Sequence, residues 1–450
     1  MDATIERIAA YAHALEFSAL PREAVHEIKR RLIDSLGCAL GGYDDEPCRI
    51  ARRLAARVTA DNGARILGTS HRTLPELATF ANGVMTRYLD GNDTLPGGGG
   101  HPSDTIPPML AVAEATGADG KSLITAITLA YEIYFAFFRG ASMRERGLDH
   151  VLYTAVASAV GAGKLLGLDA RKLGQAVSLA ITPNVALHAT RRGDLSMWKG
   201  VAAGNAARNG VFAALLAAEG MTGPDNAIEG SHGLRELLGK FELGELAAAN
   251  GTFAVTQSNL KFFLSEYHSQ APITLALQLS REVKAEDIES ITIHTYWFAW
   301  HEIGSEPEKW HPTTRESADH SLPYIIAAVL TDGAFSDAIF SEERIRDQKV
   351  HALADRVVVK EDPEFTRRFS AEIPCRIDVR TRSGETKTAA VDYPRGHYRN
   401  PMTDAEVEAK FNTLATRVLP AAQAADALKR LWNIDREARA GVVFDALNRT

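Results

Sequence analysis

The first half of this chain is rich in alanine and glycine within segments that have helical spacing. The clearest example is the segment from Gly200 to Gly210, in which most residues are alanine or glycine. Alanine has the highest helix propensity, and small side chains let two helices approach closely. Similar segments run from Ser122 to Ala136 and from Val151 to Leu166. From residue 6 to about residue 220 we therefore predict an almost wholly helical region with closely packed helices.

The pattern changes after about Ser258. Several short segments then alternate apolar and polar residues, or are rich in β-branched residues, as half-buried strands are. These strand candidates are 288–296, 356–360, 375–381 and 386–393, with 382–385 as a hairpin turn between the last two. Helical periodicity returns from Thr403 onward.

A chain of 450 residues is too long for one typical domain. We predict a mainly α protein in which a smaller α+β lid domain is inserted into a large all-helical domain. The helical domain would span residues 1–257 and the lid domain residues 258–402. The C-terminal helices, 403–450, would rejoin the helical domain.

Composition restricts the class of function. The chain is 45% hydrophobic and 24% charged, as ordinary globular proteins are. No apolar run comes near the roughly 18–20 residues of a membrane span. At the N-terminus, Ile5, Ile8, Ala12 and Leu15 recur at helical spacing, which is not the pattern of a signal peptide. A net charge of −7 argues against general nucleic-acid binding. We expect a cytoplasmic protein with neither a membrane nor a nucleic-acid partner.

Sequence motifs for common cofactors are missing. The three cysteines, Cys38, Cys48 and Cys375, form no Cys-x-x-Cys pair, which excludes the usual zinc and iron–sulfur frameworks. The segment from Gly161 to Gly167 has Leu166 where a dinucleotide fingerprint needs its third glycine. We therefore expect none of these common metal or cofactor frameworks.

Chemically functional side chains gather between Asp90 and Asp104. This segment contains Asp93, Thr94 and His101, and a run of four glycines at 97–100 interrupts it. Ordering four consecutive glycines costs much chain entropy, so such a loop is usually mobile or approached closely by a ligand. An ordinary solvated loop is the alternative.

Two further candidates lie at predicted helix starts. Lys199 precedes the helix that opens at Gly200, where unpaired N–H groups and a full positive charge suit a carboxylate. His150 precedes the helix from Val151, where the helix dipole should lower the pKa of the imidazole and favour its neutral form. A surface lysine and a structural histidine are the alternatives.

Two more groups lie further along the chain. Lys261 and His268 are found where the composition changes, and ligands tend to bind in clefts between domains. His320 and Tyr324 lie near the predicted N-terminus of another helix, although an N-cap alone explains Ser321.

Taken together, these segments resemble the 2-methylcitrate dehydratase family (MmgE/PrpD), which also contains the cis-aconitate decarboxylases. The resemblance extends from about residue 5 to about residue 430. The matching segments are Asp34-Ser-Leu-Gly-Cys38, Leu89-Asp90, Asp93-Thr94, His101-Pro-Ser-Asp104, Gly147-Leu-Asp-His150, Lys164-Leu-Leu-Gly-Leu168, Trp198-Lys199, Gly204-Asn-Ala206, Tyr267-His-Ser-Gln270, Asp319-His-Ser321 with Tyr324, and Asp392-Tyr-Pro-Arg-Gly-His397.

The resemblance implies a homodimer with a metal-free active site in the cleft between two domains, and a small polycarboxylate as substrate. The expected catalytic residues are Asp93, His101, His150 and Tyr324. The expected substrate-binding residues are Thr94, Lys199, Lys261 and His268, with His320 added from its place at a helix start.

The expected reaction is the elimination of water from a 2-methylcitrate-like hydroxy acid. A base removes a proton beside a carboxylate, an acid protonates the leaving hydroxyl group, and cations stabilise the developing charge. We expect His101 and His150 to transfer protons, Asp93 to orient an imidazole, and Tyr324 to protonate the leaving oxygen. Lys199, Lys261 and His268 would hold carboxylates. Which histidine is the base stays open.

Two alternatives use the same fold, namely decarboxylation of cis-aconitate and epimerisation or isomerisation of a related polycarboxylate. A non-catalytic carboxylate-binding protein would not require so many proton carriers. Many family members carry aromatic residues between the two aspartates and after the Asp-Thr pair, where this chain has Gly91, Asn92 and Leu95. The acid–base residues are retained, but we expect the pocket walls to differ, so the resemblance leaves the identity of the substrate open.

Overall fold

The computed structural model of the protein describes residues 1–97, 99–246 and 251–449. The N-terminal part consists mainly of helices. They are α1 (Ala3–Ala14), α2 (Arg22–Gly41), α3 (Glu46–Ala55), α4 (Pro75–Tyr88), α5 (Ile106–Thr116), α6 (Gly120–Gly140), α7 (Val151–Leu165), α8 (Ala170–Ile181), α9 (Trp198–Ala218) and α10 (Leu234–Leu238).

The second part mixes short helices with a sheet, and three helices follow it. These helices are α11 (Gln270–Leu279), α12 (Trp297–Ile303), α13 (Arg315–Ala318), α14 (Leu322–Asp332), α15 (Glu342–Ile345), α16 (Gln348–Ala354), α17 (Pro363–Arg368), α18 (Asp404–Ala415), α19 (Ala421–Trp432) and α20 (Val442–Ala446). Short 3₁₀ turns connect several elements, among them Pro102–Thr105, Arg144–Arg146, His188–Arg191 and Pro307–Lys309.

The mainly α class is confirmed, and so are all four predicted strands. They are β3 (Ile288–Thr295), β4 (Val357–Glu361), β5 (Cys375–Thr381) and β6 (Thr386–Val391). The sheet order is β4-β3-β5-β6, with β3 parallel to β4 and the other pairs antiparallel. The alternation in β3 arises because Ile291 and Ile293 face the core while Thr292 and His294 are less buried.

Two very short strands interrupt the N-terminal region, which the sequence predicts to be almost wholly helical. Two antiparallel strands of two residues each, β1 (Ala64–Arg65) and β2 (Arg72–Thr73), pair between α3 and α4. Two residues are too few to show a period, so periodicity carried no signal for this pair.

The small residues of α9 bring it into close contact with α4, as the sequence predicts. A Cβ atom added at Gly83 would lie 2.9 Å from the Cα atom of Gly204. Helix α9 begins at Trp198 and not at Gly200, so Lys199 lies within its first turn. This crossing fixes the end of α4 beside the start of α9, where the candidate site lies.

The described residues form two main hydrophobic cores. The first contains residues from 5 to 260 together with the C-terminal helices, represented by Phe411 and Phe444. The second is built around α11, α14 and the β3–β6 sheet, with Ile293 and Ile377 fully buried. The exact domain boundaries proposed from the sequence remain a prediction.

Helix α6 meets the length and composition expected of a membrane span, contrary to the expectation that no segment would come near it. However, 83% of its most apolar window is buried inside the protein. The apolar character of α6 is therefore accounted for by its packing in the first core.

Candidate active site

A cluster of charged side chains is buried where α4, α9 and the start of α14 meet. We call it the charge cluster. It comprises Arg87, Asp90, Lys199, Lys261, Asp319 and His320. Arg87 is in the last turn of α4, and Lys199 is in the first turn of α9. Buried charges are tolerated only when they are paired, so the partners of each group decide what it can do.

Asp90 is the centre of the charge cluster. Its backbone is left-handed (φ 51°), which turns the chain sharply at the end of α4. Its carboxylate accepts hydrogen bonds from Arg87 Nη1 at 2.5 Å, from Lys199 Nζ at 3.0 Å, and from Lys261 Nζ. Burial alone would raise the pKa of Asp90, but these three cations outweigh burial and hold the pKa well below its ordinary value. Asp90 is therefore a permanent anion.

Asp319 is the second carboxylate of the charge cluster. Lys199 Nζ lies 3.4 Å from both of its oxygens, and His320 Nδ1 donates to it. Burial opposes ionisation, yet Lys199 and His320 lower the pKa of Asp319 to about 2. The pKa of His320 is itself lowered by burial and by Lys199. With His320 neutral, the three cations and two carboxylates leave an excess of one positive charge.

His101 is fixed as a neutral imidazole. Its Nδ1 donates to the backbone carbonyl of Asp93 at 2.6 Å, and its Nε2 accepts from Arg87 Nη2 at 2.9 Å. A carbonyl can only accept and a guanidinium can only donate, so the proton is on Nδ1. Burial and the Arg87 cation lower the pKa of His101 well below its ordinary value. Both ring nitrogens are thus already engaged within the protein.

The carboxylate of Asp93 contacts other groups than the imidazole that it was expected to orient. Its carboxylate accepts hydrogen bonds from the Tyr131 hydroxyl at 2.8 Å and from the Ser103 N–H at 3.0 Å, with Arg31 Nε at 3.8 Å. Burial raises the pKa of Asp93 above its ordinary value. An imidazole is indeed oriented at this position, but by the backbone carbonyl of Asp93 and not by its carboxylate.

His150 caps the start of α7 beside the side chain of Asp149. The distance from His150 Nδ1 to Asp149 Oδ1 is 3.1 Å. Arg191 Nε lies 2.9 Å from the other Asp149 oxygen. Although burial opposes ionisation, Arg191 and His150 lower the pKa of Asp149 to about 2. The Asp149 N–H also donates to the Ala186 carbonyl at 2.8 Å, which ties this turn to the segment that carries Arg191.

The neutral form of His150 agrees with the sequence prediction, but the cause differs. Burial is the main reason that the pKa of His150 lies well below its ordinary value, and Arg191 is the next. A guanidinium can only donate, so the contact of 3.5 Å from Arg191 Nη2 assigns the lone pair to His150 Nε2 and the proton of the neutral ring to Nδ1, which faces Asp149 Oδ1. The rings of His150 and His101 meet edge to face, with their centroids 5.6 Å apart.

His150 opens onto a cleft of about 660 Å³. The cleft is lined by Gly97, Gly99, Phe138, Arg139, Gly140, Ala141, Ser142, Met143, Arg144, Glu145, Leu148, His150, Tyr153, His188, Trp297, Phe298 and His301. Its walls come from both cores, because Phe138 of α6 packs against the first core and Phe298 of α12 against the second. Gly98, in the middle of the predicted glycine loop, lies outside the described residues.

Five of the predicted site residues lie in neither the cleft nor the charge cluster. They are Asp93 and His101, whose contacts are given above, and Thr94, His268 and Tyr324. The backbone of Thr94 pairs with Asn259, and its buried hydroxyl has no hydrogen-bond partner in the part of the chain that is described. His268 Nδ1 lies 2.5 Å from the Tyr296 hydroxyl. The Tyr324 hydroxyl donates to the Ile339 carbonyl at 2.6 Å within the second core.

His268 nevertheless lies near charged groups. Its Nε2 is 3.7 Å from Glu266 Oε1, and burial lowers the pKa of His268 to about 3. Burial also raises the pKa of Glu266 to about 7, against the opposing effects of His320 and Lys261. His268 is therefore a neutral ring at the border of the charge cluster.

Sequence reasoning missed Arg87, Arg144 and the pairing of Asp149 with His150. The spacing of Arg87 and Asp90, three residues apart at a helix end, is a signal that points to an ion pair. The adjacency of Asp149 and His150 is a weaker signal. Arg144 lines the cleft, pairs with Glu302 at 2.9 Å and stacks on Phe298, and nothing in its sequence context marks it.

The charge cluster also contains a set of atoms that suits a cation. Ligand atoms of Asp90, Asp319 and His320 lie within 4.8 Å of one another. However, Lys199 Nζ lies 3.0 Å from Asp90 Oδ2 and 3.4 Å from both Asp319 oxygens. The lysine ammonium thus already neutralises the oxygens that a metal ion would use.

Comparison with known proteins gives consistent matches. The profile of the MmgE/PrpD N-terminal domain matches residues 6–243, and that of the MmgE/PrpD C-terminal domain matches residues 263–434. The 2-methylcitrate dehydratase of Escherichia coli (strain K12) is 31% identical over 399 residues, which are 82% of this chain and 81% of the relative. That of Salmonella typhimurium (strain LT2) is 30% identical with the same coverage. A fungal alkylcitrate dehydratase, phiI, is 28% identical over 444 residues, covering 91% of this chain and 87% of the relative.

Proposed function

The chain belongs to the MmgE/PrpD family, and on that premise we propose that it is a hydro-lyase that eliminates water from a citrate-like hydroxy tricarboxylate. The first substrate to test is 2-methylcitrate, after which several relatives are named. The observation that carries the proposal is the pairing of His150 with Asp149 at the wall of the cleft.

His150 is the proposed base. Its Nε2 carries the lone pair, which a long contact of 3.5 Å from Arg191 Nη2 engages more weakly than the 2.9 Å contact from Arg87 engages His101. Asp149 would stabilise the imidazolium that forms when this nitrogen takes a proton. The proton would come from the carbon next to a substrate carboxylate. The electrons of the broken C–H bond would then form the double bond as the β-hydroxyl leaves. His150 can return the same proton to the departing hydroxide. Water is then released, and the ring is neutral again at the end of the cycle.

His101 has a different role in this proposal. Its Nδ1 and Nε2 are held by the Asp93 carbonyl and by Arg87, so a proton transfer through it would first require Arg87 to move away. We assign His101 to positioning, because it connects the Arg87 guanidinium to the His150 ring. The proton-transfer role expected for His101 from the sequence is therefore not part of the proposed cycle. Tyr324 is left out because its hydroxyl is bonded inside the second core.

Substrate carboxylates would be bound by the cations of the cleft. Arg144 lines it directly, and the Arg191 guanidinium lies 3.5 Å from His150 Nε2. Lys199 and Lys261 are engaged by Asp90, so in this proposal they act from behind the site. The excess positive charge of the charge cluster favours the negative charge that develops on the substrate, because buried charges act through a low dielectric.

We propose that the reaction requires no metal ion. The support is the position of Lys199, whose ammonium would repel a cation placed between Asp90 and Asp319. Exhaustive treatment with a chelator should leave kcat unchanged. Loss of activity that added divalent metal restores would contradict metal independence while leaving the hydro-lyase assignment in place.

The homodimer, the lid domain and the cytoplasmic location implied by the resemblance and the composition remain proposals. Light scattering during gel filtration tests the dimer directly. A mass near twice 48.8 kDa is expected, and a mass near the single-chain value would reject it.

A proton NMR time course on chelator-treated protein tests the reaction itself. With 2-methylcitrate, we expect the signals of 2-methylaconitate to appear. Loss of CO₂ from cis-aconitate, with no change in 2-methylcitrate, would make the protein a decarboxylase. A stereoisomer formed without loss of water would indicate an epimerase. No reaction of either compound would remove both named substrates.

A further inference from the structure

Two histidine rings face each other on the surface of the second core, apart from the cleft and the charge cluster. His311 follows the 3₁₀ turn Pro307–Lys309, and His351 lies in α16. The distance between their Nδ1 atoms is 3.0 Å, and their ring centroids are 4.8 Å apart. Such a short contact between two imidazole nitrogens must be explained by where the protons are.

The hydrogen-bond partners of the two Nε2 atoms show that each of these nitrogens carries a proton. His311 Nε2 lies 2.9 Å from Asp355 Oδ1, and His351 Nε2 lies 2.7 Å from the backbone carbonyl of Ile345. Carboxylate and carbonyl oxygens can only accept, so each Nε2 carries a proton. In two neutral rings, both Nδ1 atoms then present lone pairs to each other. Two lone pairs at this distance repel unless a positive charge lies between them, and either a proton shared by the two nitrogens or a bound metal ion can supply it.

The geometry matches two ligands of one metal ion. For metal–nitrogen bonds of about 2.05 Å, nitrogens 3.0 Å apart give an N–metal–N angle of about 94°. That angle suits neighbouring positions in square-planar or octahedral coordination, which Cu²⁺ and Ni²⁺ favour. Tetrahedral Zn²⁺ would need the nitrogens about 0.3 Å further apart.

The surroundings are those of a metal-bound histidine pair. A metal-ligating imidazole usually donates its other N–H to a carboxylate or a backbone carbonyl, which fixes its tautomer and raises its basicity. Asp355 and the Ile345 carbonyl supply one such partner to each ring. His311 is 55% exposed, so water has access to the remaining coordination positions.

We propose that His311 and His351 form a surface site for a divalent transition-metal ion, with Cu²⁺ and Ni²⁺ preferred over Zn²⁺. The bound ion would tie the segment after Pro307–Lys309 to α16. This site is separate from the proposed dehydration chemistry, and neither inference depends on the other.

Calorimetric titration of metal-free, full-length protein with NiCl₂ tests the site. Wild-type protein should bind one more equivalent than His311→Ala and His351→Ala. Asp355→Asn should bind that equivalent roughly tenfold or more weakly, because the carboxylate that supports His311 is lost. His13→Ala, which removes an exposed histidine from α1, is the matched control and should bind as the wild type does.

Thermal unfolding with and without NiCl₂ gives a second readout. Binding to the folded state alone must raise Tm, so nickel should raise the Tm of the wild type and of His13→Ala but not of His311→Ala. Far-UV circular dichroism confirms that each variant is folded. Identical isotherms and identical Tm shifts for wild type and His311→Ala would overturn the proposal, as would a wild type that takes up no nickel.

Discussion

At the scale of single residues, one ion pair adds to the effect of burial on the protonation state of the proposed base. Arg191 pairs with Asp149, and Asp149 Oδ1 lies 3.1 Å from His150 Nδ1. The Arg191 cation also disfavours an imidazolium beside it, which adds to the effect of burial on the pKa of His150. His150 should therefore stay neutral at pH values below the ordinary histidine range.

Replacing Arg191 with methionine should move the acidic limb of the pH profile of kcat/KM to higher pH. Protonation of His150 abolishes its function as a base, and loss of the neighbouring cation raises the pKa at which this protonation occurs. Arg192→Met is the matched control, because Arg192 is adjacent but pairs with Glu306 instead. An acidic limb that stays in place in Arg191→Met would exclude His150 as the titrating base.

A second residue-scale prediction concerns Asp104. Burial raises the pKa of this carboxyl group to about 7. Between about pH 4 and pH 7 the folded state then binds more protons at this site than the unfolded state does. The contribution of Asp104 to the free energy of unfolding therefore falls as pH rises. Asp104→Asn removes that loss. The free energy of unfolding of Asp104→Asn minus that of the wild type should be larger at pH 8 than at pH 5, by about 1 kcal/mol or more.

Urea unfolding at the two pH values measures this difference. Asp119→Asn is the control that should show no such difference, because hydrogen bonds from Ser122 lower the pKa of Asp119 and this carboxylate is therefore ionised at both pH values. The raised pKa would be contradicted if Asp104→Asn and the wild type differed in free energy of unfolding by the same amount at pH 5 and at pH 8.

How far the site could be predicted is also clear at this scale. His150, Lys199 and Lys261 stood out because of their residue types and their places at helix starts or at the change in composition. The spacing of Arg87 and Asp90 indicates one pair, but the pairing of Asp90 with Lys199 and Lys261 could not be predicted, since these lysines are 109 and 171 residues away along the chain. Tyr324 shared a motif with His320, yet one turn of helix directs its hydroxyl into the second core.

At the scale of elements, the crossing of α4 and α9 determines the geometry of the charge cluster. Gly204 faces the backbone of α4, and an added Cβ atom would lie 2.9 Å from the Val84 nitrogen and 3.0 Å from the Phe80 oxygen. Backbone atoms cannot move aside as a flexible side chain can. The two helices carry Arg87 and Lys199, so their separation sets the distances around Asp90.

Gly204→Ala should therefore destabilise the protein even though alanine is the better helix former. Overpacking costs about 1–3 kcal/mol, against a gain of about 1 kcal/mol in helix propensity. We expect a lower Tm by differential scanning calorimetry and a reduced kcat. Gly174→Ala in α8 is the matched control, because its Cβ atom would mainly meet the flexible side chain of Met1. Equal Tm values for the two variants would show that the contact between α4 and α9 accommodates the added methyl group.

Elements were the most predictable level of the structure. Helices α6, α7 and α9 and strands β3 to β6 carry their own period or composition within a single segment, so local sequence is sufficient to identify them. The predicted start of α9, at Gly200, is two residues too late. The residue types of Trp198 and Lys199 do not separate these two positions from the polar segment that precedes them. Pairing between β1 and β2 left no periodic trace.

At the scale of the whole molecule, a helix near the C-terminus supports the loops that carry the charge cluster. Lys410 in α18 donates to the backbone carbonyls of Gly91 and Lys261, both at 2.7 Å. Its ammonium is also 2.7 Å from the buried carboxylate of Asp34 in α2. One lysine therefore connects four distant segments, which no local pattern in the sequence reveals.

Lys410→Met should cost roughly 3–5 kcal/mol of stability, because it leaves the Asp34 carboxylate buried without its cation. Urea unfolding measures the loss, and the exposed Lys429→Met on α19 is the matched control. Adding Asp34→Asn to Lys410→Met should restore part of the stability. A single variant as stable as Lys429→Met would show that this ion pair does not stabilise the fold.

The central claim is that His150 takes the proton in the dehydration of a citrate-like acid, and kcat/KM of His150→Gln with 2-methylcitrate tests it most directly. We expect a decrease of roughly 10²-fold or more with an unchanged Tm, whereas His13→Gln should retain wild-type activity. Wild-type kcat/KM in His150→Gln would contradict the claim and leave the pairing of His150 with Asp149 as a structural feature only.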